Sequence, residues 1–149
     1  MTHSIRVLIE NEAGSLIKNT YDENTLRFVR RAEVSKPYPF AYGFILNTRA
    51  ADGAALDCFV LSENPLLSGE QVSCYPKALL EQIEDSEIDH KVIATIDNTS
   101  DVPDGTREAI AKFAGEVFAH VPGKRMQVGR LLGMAEALAH IQACRLHDC

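Results

Sequence analysis

Apolar and polar residues alternate at the start of the chain. Ile5, Val7 and Ile9 fall on one face, and Arg6, Leu8 and Glu10 on the other, which predicts a half-buried strand over residues 4–10. Similar short apolar runs predict strands at 15–19, 25–29, 42–46, 58–61, 71–75 and 92–96. Asn11–Gly14, Asp52-Gly53, Asn64-Pro65 and Ser68-Gly69 supply turn chemistry between them. After residue 100 the period changes. Ile110, Phe113, Ala114, Val117, Phe118 and Val121 recur at helical spacing, with start signals at Asp101–Asp104 and a stop at Pro122-Gly123. A short strand at 125–128 follows, then a second helix marked by Met134, Leu138 and Ile141. Strands first and helices last read as a mainly β, α+β domain: a small closed barrel with two C-terminal helices packed outside.

Composition narrows the function. The chain has 149 residues, enough for one domain with a real core, and carries 46% apolar and 24% charged residues. Its net charge is -6. A dedicated nucleic-acid binder needs a basic face, so that class is excluded, while a local basic pocket for a small anion is not. The charged N-terminus is not the apolar core of a signal peptide, and no run of eighteen apolar residues spans a membrane; the expectation is a cytoplasmic protein. Cys58, Cys74, Cys144 and Cys149 form no Cys-x-x-Cys pair and read as free thiols, Cys58 and Cys74 in the core. His3, His90, His120, His140 and His147 have no metal-ligand spacing.

The chemistry concentrates in acids near strand ends. Asp52 and Asp57 flank a tight turn before the Cys58–Leu61 run, and Asp89 precedes another strand in Asp89-His90-Lys91. If the fold brings two of them about 4 Å apart, they repel by about 4 kcal/mol at an effective dielectric near 20 and call for a cation between them; the alternative is solvated loop acids that never meet. An all-oxygen set suits Mg²⁺ or Mn²⁺ over Zn²⁺. Lys18, Arg30, Arg31 and Lys91 lie near strand ends, and Tyr38 and Tyr42 bracket Pro39. Cations beside metal-bridged carboxylates are what a phosphate or diphosphate site requires; the alternative is surface charges and core-wall tyrosines.

These segments resemble the soluble, barrel-type (family I) inorganic pyrophosphatases almost end to end, from about Ile5 to Arg145. The matching pieces are Tyr38-Pro39-x-x-Tyr42-Gly43-x-Ile45, Asp52-Gly53-x-x-x-Asp57, Pro65-Leu66-x-x-Gly69 and Asp89-x-Lys91. The resemblance implies a five-stranded OB-like barrel with two outer helices, which hydrolyses diphosphate with several Mg²⁺ ions, and it leaves open a homo-oligomer. It implies Asp52, Asp57 and Asp89 as principal metal ligands, Glu10 as an outer one, and either Glu84 or Asp85 as another. Lys18, one of Arg30 or Arg31, and Lys91 correspond to phosphate-binding cations; Tyr38 joins the substrate wall and Tyr42 lies beside the attacking water. Four positions depart. The family's Asp-x-Asp-Pro-x-Asp has Ala54 for its middle aspartate, the base toward the nucleophilic water. Thr20 replaces a glutamate two residues after the lysine, and Val117-Phe118 replaces a Tyr-Lys pair. The departures lead to an expectation of slow turnover. The alternatives are an impaired relative that binds a phosphorylated ligand or a protein partner, or an enzyme acting on a different phosphoanhydride.

Overall fold

The computed structural model describes residues 3–117, 122–123 and 126–146. The fold is mainly β with two helices. In chain order it contains β1 (Ile5–Asn11), β2 (Ile17–Tyr21), β3 (Phe28–Glu33), β4 (Ala41–Ile45), β5 (Asp57–Leu61), β6 (Gln71–Glu84), β7 (Glu87–Ile88) and β8 (Lys91–Thr95). Then come α1 (Thr106–Glu116), β9 (Met126–Leu132) and α2 (Met134–Cys144). The pairings run β1-β4-β5-β8-β6, and β6 also pairs with β1, so the order returns to its first strand. All pairs on this path are antiparallel except β5–β8, which is parallel. Strand β8 is buried along its whole length, as expected for a strand covered on both faces.

Side-chain alternation separates two apolar layers. Ile5, Val7, Ile9, Cys58, Val60, Cys74, Val92 and Ala94 share the main core, and Ala137, Ile141 and Cys144 of α2 pack against it. On the opposite face, Phe59, Ala78, Leu80 and Ile93 pack with Ile110 of α1. This second face also carries the polar residues described below. Close packing of β1 on β4 demands glycine at 43, because a Cβ there would lie 1.8 Å from the Leu8 carbonyl oxygen.

Several elements differ from the sequence expectation. Strand β6 is 14 residues long and runs through Pro76, whereas the expected strand covered residues 71–75. The register shifts between Pro76 and Ala78, and this irregularity absorbs the missing N–H and lets the strand continue. Strands β2 and β3 start two to three residues later than expected and form a separate two-stranded sheet. Helix α1 starts at Thr106 and ends at Glu116; its N-cap Gly105 offers no side chain to cap it. Phe118 and Val121 lie outside the described residues. Among the described residues, no helix is long and apolar enough to cross a membrane.

Candidate active site

The site begins with a buried lysine. Lys91 opens β8 and is 4% exposed. Its ammonium donates to Asp57 Oδ2 at 2.6 Å, Asp89 Oδ2 at 2.9 Å and Tyr42 Oη at 2.9 Å. Parallel pairing of β5 with β8 and antiparallel pairing of β4 with β5 bring these three elements side by side. Burial alone would push the Lys91 pKa down, but Asp57 and Asp89 outweigh it and the ammonium ends well above its ordinary range. The Tyr42 phenol is pushed far up, first by burial and then by the charges of Asp57 and Asp89. It is a neutral hydroxyl at any working pH. Burial also raises Tyr38, with smaller contributions from Glu10 and Asp57.

Around this triad lies a cavity of about 250 Å³. Glu10 of β1, Asp57, Glu84 and Asp89 line it, with Lys18 and Arg30 from the β2–β3 hairpin and Lys91 opposite. Tyr38 and Tyr42 form a wall, their ring centroids 5.6 Å apart. Glu10 is pushed up to about 7, mainly by burial; the Tyr21 N–H opposes the rise and Asp57 adds to it.

The hairpin register decides between the two arginines. Lys18 pairs with Ala32 and Thr20 with Arg30, whereas Asn19 pairs with Arg31. Residues directly opposite share a face, so Lys18, Thr20 and Arg30 face one way and Arg31 the other. Arg30 lines the cavity; Arg31 does not.

Asp52 is also apart. It sits in the turn before β5, where its Oδ1 accepts the Ala54 N–H at 3.0 Å. It borders a neighbouring depression of about 420 Å³ together with Glu84, Asp85, Glu87 and Asp89. Glu84 and Asp89 belong to both cavities, while Asp85 borders only the outer one. Of the four departing positions, Thr20 and Val117 line the cavity, Ala54 does not, and Phe118 is outside the described residues.

Sequence reasoning missed Gln82 and Glu23. Gln82 is buried near the end of β6 and lines the cavity. Its peptide is fixed by the next hairpin arm: the Asp89 N–H donates to its carbonyl at 2.9 Å and its own N–H donates to His90 Nδ1 at 3.0 Å. Glu23 lines the cavity from the β2–β3 turn. Neither position carries a local signal, because each reaches the site through long-range pairing.

The described side-chain donors lining the cavity are oxygens of carboxylates and phenols, with amides and one hydroxyl beside them and no His or Cys, which fits hard divalent cations. Among the described residues, no three His, Cys, Asp or Glu side chains gather tightly enough to enclose an ion by themselves. One buried lysine, with Lys18 and Arg30 at the same cavity as these carboxylates, defines a class of protein: a β-sheet protein whose cavity suits a small, highly charged phosphorylated anion.

Comparison with known proteins identifies the family. Residues 7–147 match the family model of inorganic pyrophosphatase. The inorganic pyrophosphatase of Aquifex pyrophilus is 34% identical over 93% of this chain and 85% of its own. That of Nanoarchaeum equitans is 30% identical over 89% and 90%. The crystal structure of the inorganic pyrophosphatase from Thermus thermophilus superposes with a TM-score of 0.86 at 30% identity, covering 95% of this chain and 88% of that one. The chain belongs to the inorganic pyrophosphatase family.

Proposed function

We propose that this protein hydrolyses inorganic diphosphate to two phosphates at the cavity around Lys91. The observation that carries the reading is the ammonium of Lys91 shared by Asp57, Asp89 and Tyr42, at a cavity that also gathers Glu10, Lys18 and Arg30, in a chain of this family. The circular strand order supports reading the sheet as the closed, OB-like barrel expected for the fold.

In this reading Asp57, Asp89, Glu10 and Glu84 hold Mg²⁺ or Mn²⁺, with Asp52 contributing from the rim. Bound there, the metal would neutralise the diphosphate and lower the pKa of a coordinated water from 15.7 toward about 7. Lys18 and Arg30 orient the phosphate oxygens through charge-assisted hydrogen bonds. Lys91 holds the two aspartates in place and offers positive charge to the anion. Tyr42, protonated throughout, hydrogen-bonds Asp57 and orients groups near it; it is no base. The water oxygen attacks one phosphorus, the bridging P–O bond breaks, and the second phosphate leaves.

The slow turnover suggested by Ala54, and the binding-only alternative, find no support in the comparisons. A cytoplasmic location and a homo-oligomeric state stay expectations of the sequence. The test is phosphate release from diphosphate with and without Mg²⁺ or Mn²⁺, beside Asp57→Asn. Metal-dependent release that falls by roughly 10³-fold in the variant is the expected outcome, given the usual cost of removing a charged group from a reacting centre. Equal release by both proteins would place the activity elsewhere.

A further inference from the structure

A carboxylate that the sequence places far from Ala54 comes to its side in the fold. Glu23 sits in the turn joining β2 to β3, and both its carboxylate oxygens accept the N–H of Ala55 at 3.0 Å. Ala55 directly follows Ala54 and lies two residues before Asp57. Glu23 lines the same cavity as Glu10, Asp57 and Lys18, and its charge is felt by Glu10.

The turn that carries Glu23 is held at both ends. Asp22 Oδ1 accepts the N–H groups of Asn24 at 2.9 Å and Thr25 at 2.7 Å. The Asp22 carbonyl accepts the Leu26 N–H at 2.8 Å, and the Asp22 N–H donates to Arg27 at 2.9 Å. Leu26, in the left-handed region at φ 62°, packs in an apolar cluster with Leu8, Phe44 and Ala55. The tip of the hairpin is therefore docked on the same short segment that Glu23 hydrogen-bonds. A surface glutamate with no function would gain little from being fixed there, since ordering a long side chain costs entropy.

Resting on the diphosphatase reading, we propose that Glu23 is a catalytic residue of this chain: the general base that takes the place left empty by Ala54. As water attacks, one of its protons passes to the Glu23 carboxylate while the oxygen forms the new P–O bond. The bridging P–O bond breaks, and the proton on Glu23 leaves with product or to solvent before the next turnover. Two phosphates form from one diphosphate and one water, with no other reactant. The carboxylate lost at position 54 is thus supplied from 31 residues earlier, which makes the departure a relocation of the base.

The deciding experiment is steady-state hydrolysis of diphosphate with Mg²⁺ by wild type, Glu23→Gln, Ala54→Asp and the double variant. Glutamine keeps an acceptor for the Ala55 N–H but takes no proton. Glu23→Gln is expected to lower kcat by about 10²–10⁴-fold with KM nearly unchanged. Ala54→Asp in that background restores at least a tenth of the wild-type kcat. The Mg²⁺-induced rise in melting temperature stays as in wild type for Glu23→Gln. Wild-type kcat in Glu23→Gln overturns the proposal and leaves the diphosphatase reading standing. Loss of the Mg²⁺-induced rise in Glu23→Gln makes Glu23 a metal ligand and overturns it too. A low kcat not restored by Ala54→Asp, with normal melting, likewise counts against a base. An inactive wild type overturns both readings.

Discussion

The two walls of the cavity are built in opposite ways. On one wall, Asp57, Asp89 and Tyr42 converge on a single buried ammonium, held by strands β4, β5 and β8 that are buried deep in the sheet. On the other, Lys18, Arg30 and Glu23 hang from a two-stranded hairpin whose second strand is exposed at every position. The first wall cannot be altered without disturbing the fold. The second is tied down by the turn's own hydrogen bonds, the Leu26 contact and the Glu23 link to Ala55. The closely paired charges are placed where buried strands fix them, while Lys18, Arg30 and Glu23 are carried on an outer element held by fewer contacts. The departure at Thr20 falls on the second wall, beside Glu23, and Ala54 lies in the segment that wall docks against.

The contrast predicts that damage to the buried wall costs stability and damage to the hairpin costs function. Lys91→Met should have the largest effect. It leaves two carboxylates facing each other without their cation, and breaking such a buried pair costs about 3–5 kcal/mol. In a domain of this size that lowers the melting temperature by roughly 10 °C. A variant melting within a degree or two of wild type would show that the triad does not hold the sheet.

Glu10 gives the next effect, through pH. Its folded pKa is raised from 4.5 to about 7, so the folded protein binds that proton more tightly than the unfolded chain. The stability it confers is complete below about pH 4.5 and lost as pH rises through 7. The loss is on the order of 3 kcal/mol in the presence of a chelator. Denaturant melts at pH 5 and pH 8 should show it in wild type and not in Glu10→Gln. Divalent cation should reduce the loss at pH 8, since it favours the charged carboxylate.

The arginines give the smallest and sharpest effect. Arg30→Ala should raise KM for diphosphate by about tenfold, the usual value of a charged hydrogen bond, without changing the melting temperature. Arg31→Ala should leave KM within about twofold, as for a surface charge. Equal effects from the two would contradict the β2–β3 register as the device that selects the inward arginine.

Much of the fold was legible because it is written in local period. Alternation over residues 4–10 marked β1, and the recurrence of Ile110, Phe113 and Ala114 marked α1. Cys58 and Cys74 were expected in the core and are fully buried. Glu10, Lys18, Tyr38, Tyr42, Asp57, Asp89 and Lys91 were named from motifs and the family resemblance, with Glu84 as one of two alternatives, and they line one cavity. The length of β6 was not legible, because a proline reads as a break and only a neighbouring strand can accommodate it at an irregular register. The place of Asp52 was not legible either: its turn gives the carboxylate a partner in its own backbone, and the outer depression takes it instead of the central cavity.

The amino-acid sequence alone determined the chemical inventory: oxygen donors, cations, phenols and an alanine at 54. It also determined which segments alternate as strands and which turn as helices, because those preferences depend on neighbours one to four residues away. Tertiary structure alone decided which of two adjacent arginines lines the cavity, that one lysine ties Asp57 to Asp89, and that Glu23 stands beside Ala55. Each of these depends on register between segments tens of residues apart. A shift of one residue turns a side chain to the opposite face of its strand, and the buried apolar faces that set the register act only once the whole sheet has formed.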